Sequence, residues 1–138
     1  MQLTTFTDYA LRSLMYLAAR PDEKSSVKEI AEHYGISRNH LVKIVHRLSQ
    51  LGYVETTKGK GGGIQIAEGT GKLRLGDLVK ALEPNMHIVE CFDAETNTCR
   101  ITESCHLKHC LFEATANFID TMNQYTLADV TAKQDNRP

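Results

Sequence analysis

Four cysteines, Cys91, Cys99, Cys105 and Cys110, fall within twenty consecutive residues. Thiols gathered so closely can hold a soft metal, pair as disulfides or act as a redox couple. The opening Met1-Gln2-Leu3-Thr4 lacks the basic and apolar regions of a secretory signal, so a cytoplasmic protein with reduced thiols is expected. That favours metal or redox chemistry over the three possible disulfide connectivities. Two local arrangements compete: Cys99, Cys105 and Cys110 with His106 or His109 would complete a tetrahedral zinc site, and Cys105 with Cys110 would form a thiol switch. Their spacing is awkward for a direct disulfide inside an unbroken helix.

A second set of residues carries a different chemistry. From Arg38 to Lys60 there are five cations, Arg38, Lys43, Arg47, Lys58 and Lys60, against Glu55 alone, a local charge of +4. The whole chain, with sixteen Lys and Arg and seventeen Asp and Glu, has a formal net charge of -1. Affinity for a polyanion must therefore come from this patch.

The elements that position the patch are legible in apolar spacing. Phe6, Ala10, Leu14 and Leu17 predict a first helix over residues 5–20, closed by Pro21. Ser26 and Glu29 form a capping box for a second helix, with Val27, Ile30, Ala31 and Tyr34 on one face. Gly35 can end that helix in the left-handed conformation, and Ser37 can cap a third over residues 38–51. There Leu41, Ile44, Val45 and Leu48 point inward. Asn39, Lys43, His46 and Gln50 face outward, flanked by Arg38, His40 and Arg47. Two helices joined by a tight glycine turn, the second carrying an outward basic stripe, describe a helix-turn-helix; a plain helical hairpin with solvated charges fits almost as well. Strands over residues 53–57 and 63–66, flanking the tip Lys58-Gly59-Lys60-Gly61-Gly62, favour the former. A glycine-rich tip with two lysines suits a phosphate ribbon or a minor groove, the second contact of a winged helix. A nucleotide-binding loop is disfavoured, since the lysine-serine ending and the following helix are both missing.

Leu73, Leu75, Leu78, Val79 and Leu82 predict a fourth helix ending near Pro84, followed by an irregular, polar stretch over residues 85–104. Leu107, Leu111, Phe118, Met122 and Tyr125, widened by Phe112 and Ile119, then predict one long helix over residues 105–130. Such a helix needs a partner surface, either its own copy in a twofold homodimer or the first domain. The expected organisation is a mainly α winged helix-turn-helix domain with a small β-hairpin wing over residues 1–83, a cysteine-rich cluster-binding loop over 84–104, a dimerisation helix over 105–131 and a disordered tail over 132–138. With 138 residues, 41% of them hydrophobic, the chain is too small for a multidomain enzyme. Its longest apolar run is six residues, so no membrane span is expected. No catalytic carboxylate pair, nucleophile motif or cofactor fingerprint stands out, and an enzyme is not expected.

Taken together, Met1-Gln2-Leu3 with Phe6-Thr7-Asp8-Tyr9, Ser37-Arg38-Asn39-His40-Leu41-Val42-Lys43-Ile44, Gly52-Tyr53-Val54, Gly59-Lys60 with Gly62-Gly63-Ile64, Tyr125-Thr126-Leu127-Ala128-Asp129 and the cysteines make a specific pattern. It resembles the winged-helix iron-sulfur transcription regulators over almost the whole chain. Arg38-Asn39-His40 is especially similar to the nitric-oxide-sensitive repressors among them. The resemblance implies an iron-sulfur cluster, four-iron four-sulfur or else two-iron two-sulfur, held by Cys91, Cys99 and Cys105. It also implies Asp8 of the partner subunit as fourth ligand, with His106, His109 and Cys110 as the other candidates. The seven residues between Cys91 and Cys99 exceed the family pattern, the five between Cys99 and Cys105 agree with it, and Cys110 has no counterpart. A residue-level alternative for Asp8 is a first-turn ion pair with Arg12.

On the same resemblance the protein is a homodimer that reads a pseudo-palindromic operator on double-stranded DNA. Arg38, Asn39, His40 and Lys43 would read bases, while Arg47, Lys58 and Lys60 would contact phosphates. Nitric oxide would be the signal, its reaction with the cluster releasing a repressor from DNA. The alternatives are a regulator of cluster assembly, a redox-sensing regulator, a zinc-stabilised DNA-binding protein or a small electron carrier; the last lacks the compact ferredoxin cysteine spacing.

Overall fold

The structure, a computed structural model, describes residues 1–135, with side chains described through Thr131. Six α-helices and one hairpin follow in order: α1 Thr5–Ala18, α2 Val27–Tyr34, α3 Arg38–Gln50, β1 Val54–Thr57, β2 Gly63–Ile66, α4 Leu75–Leu82, α5 His106–Met122 and α6 Leu127–Asp135. The mainly α winged-helix architecture is the one expected from the sequence.

Local chemistry sets the first three helices. The Thr4 hydroxyl accepts the Thr7 N–H to cap α1, and Ser26 and Glu29 exchange hydrogen bonds with each other's backbone N–H to start α2. Gly35, at φ +68°, turns the chain out of α2, and the Ser37 hydroxyl accepts the His40 N–H to begin α3. β1 and β2 pair antiparallel with Val54 opposite Ile66 and Thr57 opposite Gly63. Ser25 exchanges two backbone hydrogen bonds with Ile64, so the link before α2 is stitched to the wing.

The core forms around α1, which packs against α3, α4 and α6, with α2 closing on α3. Leu14, Leu17, Ile30, Leu41, Ile44, Leu48 and Leu78 are fully buried there, each contributing about 1.5–3 kcal/mol of apolar burial. The inward stripe of α3 is therefore the one read from the sequence.

The C-terminal region departs from expectation. The single long helix over residues 105–130 is replaced by α5 and α6, with a break between Met122 and Leu127. Thr126 and Asp129 exchange hydrogen bonds with each other's backbone N–H, a helix-start signal that an unbroken helix could not satisfy. The break turns Leu127 into the core, where it is fully buried as α6 packs on α1. Of the tail expected to be disordered over 132–138, residues 132–135 belong to α6, and residues 136–138 lie outside the described residues. α5, by contrast, contains no buried residue and exposes Leu107 and Phe112. No helix among the described residues is long and apolar enough to cross a membrane.

Candidate DNA-binding surface and cysteine loop

Because its apolar stripe is buried, α3 can only turn its other face outward. Arg38, Asn39, Lys43, His46 and Arg47 are all exposed. His40 differs, being half-buried with its ring 5.4 Å from that of Tyr9 and 6.4 Å from that of Phe6, both on α1. The start of α3 is thus held by aromatic contact with α1. At the hairpin tip Lys58 and Lys60 are exposed, and Gly59 and Gly61 take positive φ values of 86° and 79°. The Gly62 N–H closes the turn on the Gly59 carbonyl at 3.0 Å, and no side chain fits at Gly62, where a Cβ would run into the Thr57 carbonyl. The glycines therefore let a tight turn carry two exposed cations at the tip of a hairpin whose first strand packs on α3.

Asp8 sits in the first turn of α1, with both carboxylate oxygens engaged by Arg12 through Nε at 3.0 Å and Nη2 at 2.9 Å. The same guanidinium lies 5.2 Å over the Tyr9 ring. The Tyr34 hydroxyl donates to the Arg12 carbonyl at 2.8 Å, tying α2 to this point. Within one chain the ion-pair alternative for Asp8 is thus the arrangement present.

The cysteine loop is irregular apart from two short 3-10 turns, Glu90–Phe92 and Thr102–Ser104. Cys91 lies in the first, half-buried, beside a cavity of about 610 Å³ that it lines with Lys80, Phe92, Lys108 and Phe112. The long interval after it folds on itself. The Asp93 carboxylate accepts the Glu95 N–H and the Thr96 hydroxyl, each at 3.0 Å, and these bonds, the Thr96 hydroxyl first, hold its carboxyl below the usual range. The Thr98 hydroxyl then donates to Glu90 at 3.1 Å, so the neighbours of Cys91 and Cys99 meet. The Cys99 N–H donates to the Asn97 side chain at 3.0 Å, and the Cys99 carbonyl accepts the Thr102 hydroxyl at 2.9 Å. Cys105 caps α5, its sulfur accepting the Lys108 N–H at 3.3 Å. All four thiols are free, and Cys110 is exposed on α5.

Three free thiols on one loop are the soft donors that iron-sulfur centres use, and a backbone N–H on sulfur, as at Cys105, is the partner that metal-bound thiolates take. The donor set fits such a group. Among the described residues, no three His, Cys, Asp or Glu side chains converge as a metal site, so neither the cluster ligands nor the zinc combination is gathered here. Asp8 is not drawn to the cysteines either.

Two residues of this region carry no local signal in the sequence. The Glu83 carboxylate accepts the Thr4 hydroxyl at 2.6 Å and the Thr4 N–H at 3.1 Å, joining the start of the cysteine loop to the cap of α1. Asn123, 46 residues from its partner, bonds Asp77 at the start of α4.

A capped helix presenting cations, a glycine-tipped hairpin beside it and a first helix bracing both define a winged helix-turn-helix DNA-binding protein. The chain belongs to the Rrf2 family, described as an iron-dependent transcriptional regulator, whose pattern matches residues 3–133. It is 48% identical over 136 residues to the HTH-type transcriptional regulator NsrR of Shouchella clausii (strain KSM-K16), covering 98% of this chain and 91% of that protein. It is likewise 48% identical over 136 residues to the HTH-type transcriptional regulator NsrR of Bacillus subtilis (strain 168), covering 98% and 93%. In fold it is similar to the solved T. potens IscR, with a TM-score of 0.76 at 20% identity, over 100% of this chain and 93% of that one. The protein is therefore a regulator of transcription and not an enzyme.

Proposed function

We propose that the protein is a homodimeric repressor that binds a pseudo-palindromic operator and releases it in response to nitric oxide, using an iron-sulfur cluster held by Cys91, Cys99, Cys105 and Asp8 of the partner subunit. A four-iron cluster is the first choice and a two-iron cluster the alternative. Bound there, the cluster would be held by three thiolates and one harder, more weakly binding carboxylate, and would supply iron open to reaction with nitric oxide.

The chain's own residues supply the rest. Arg38, Asn39, His40 and Lys43 face the bases, and Arg47, Lys58 and Lys60 the phosphates. Asp8 has two alternative partners, Arg12 of its own helix or the other subunit's loop. The observation that carries this reading is the continuity from Asp8 through Arg12 and Tyr9 to His40 at the start of α3. A change of partner at Asp8 frees Arg12, and Arg12 covers the ring against which His40 rests. A partly exposed ion pair is worth only about 0.2–1 kcal/mol, whereas a full 99:1 switch takes about 5.5 kcal/mol. Ordering of the residue 84–104 loop must therefore contribute most of the difference.

The test is to purify the protein without oxygen, quantify iron and acid-labile sulfide, and follow operator binding as nitric oxide is added. Iron with sulfide and a loss of DNA affinity on addition are expected. Zinc without sulfide, or an affinity that ignores nitric oxide, would overturn the sensing role while leaving DNA binding in place.

A further inference from the structure

The first N–H groups of α4 have no acceptor within the helix itself, and Arg74 at its cap position offers no side-chain oxygen. Asn123, the residue just past the end of α5, supplies one. Its Oδ1 accepts the Asp77 N–H at 3.0 Å, and its Nδ2 donates to Asp77 Oδ1 at 3.3 Å. Beneath it lies buried Gly76, where a Cβ would collide with Asn123 Oδ1 and come within 2.6 Å of the Ile119 carbonyl. α4 and α5 thus touch backbone to backbone at this point. Two further bonds pin the same place, from Leu75 N–H to the Tyr125 carbonyl at 2.9 Å and from Leu127 N–H to the Leu73 carbonyl at 3.0 Å. The opposite end of α5 carries exposed Leu107 and Phe112, so the joint sits at one end of a lever.

We propose that Asn123, seated on Gly76, is the positioning residue that fixes the angle between α5 and the winged-helix domain, and so sets the half-site spacing that the dimer accepts. This rests on the reading of α5 as the dimerisation helix. Seventeen residues make a helix about 25 Å long, so a tilt of about 10° moves its far end by about 4 Å. That exceeds the rise of one base pair, about 3.4 Å. A loosened joint therefore blurs spacing before it affects how either domain reads its own half-site.

The experiment uses the full chain. A duplex selected by the unaltered protein from a random pool is rebuilt with its half-sites one base pair closer and one base pair farther apart, and a single half-site serves as the control. The unaltered protein should lose at least tenfold in affinity on either change. Asn123→Ala and Gly76→Ala should bind the single half-site as before, yet discriminate spacing less than threefold or prefer a new spacing. Asn123 is only half-buried, so Asn123→Ala keeps the test open if Gly76→Ala fails to fold. A folded, dimeric Asn123→Ala with unchanged spacing discrimination overturns the proposal. An unaltered protein that sediments as a monomer, or selects one isolated half-site, overturns the dimer reading and the proposal with it.

Discussion

Arg12 grips Asp8 by both carboxylate oxygens, and the guanidinium that does so also covers Tyr9, the ring against which His40 of α3 packs. Both side chains of the pair are more than a third exposed, at 39% and 47%, so solvent screens most of their attraction. Arg12→Gln should therefore lower folding stability by less than about 0.5 kcal/mol in urea titration. Operator affinity should fall several-fold in the same variant, because the support under His40 is lost. An affinity loss no larger than the stability change would show that the two are not connected.

The Thr4–Glu83 contact joins residues 79 positions apart and links the cap of α1 to the residue before the cysteine loop. Thr4→Ala removes both the cap and this partner, and should cost about 1–2 kcal/mol. Glu83→Gln should cost about 1 kcal/mol, since it replaces an ionised acceptor with a neutral one. Because the two act on one contact, the double variant should fall short of the sum by at least about 0.5 kcal/mol in denaturant unfolding. Additive losses would mean that Glu83 does not brace α1.

These long-range contacts mark the limit of what the sequence discloses. The turn before α3 is written locally, in Ser26 with Glu29, in Gly35 and in Ser37, and the spacing of Leu41, Ile44, Val45 and Leu48 dictates which face of α3 is outward. The break between α5 and α6 had a signal, Thr126 three residues before Asp129, but the apolar period running up to it, through Met122 to Tyr125, masked it. Only the core vacancy filled by Leu127 decides between the two, and that is a tertiary fact. The Asn123 cap and the Glu83 brace have no local signature, because each satisfies a helix start distant in sequence. The half-burial of His40 likewise depends on rings that α1 brings to it.

The exposed lysines of the wing predict a salt effect. Each phosphate contact contributes about 0.9 to the slope of log affinity against log salt concentration. Lys58→Ala and Lys60→Ala should each reduce that slope by about 0.9 and leave the ranking of operator variants unchanged. Lys43→Ala, on the outward face of α3, should instead relax preference at one base position. A wing variant that alters sequence preference would place the tip on base edges.

The four thiols should separate into three and one when tested for iron. Cys91 and Cys99 are flanked by residues that already touch, Glu90 and Thr98, and Cys105 offers a sulfur with a backbone N–H directed at it. Cys110 stands exposed on α5, five residues beyond the cap, with no such support. Serine in place of Cys91, Cys99 or Cys105 should abolish retention of iron and sulfide after anoxic reconstitution, whereas Cys110→Ser should retain both. Serine is close to isosteric, so these variants should unfold within about 1 kcal/mol of the unaltered apoprotein, which separates loss of a ligand from loss of the fold. The seven-residue interval makes Cys91 the sharpest case, because the Asp93 turn must shorten the path between it and Cys99. Iron retained by Cys91→Ser but lost by Cys110→Ser would move the ligand set toward α5 and revive the combination of Cys99, Cys105 and Cys110.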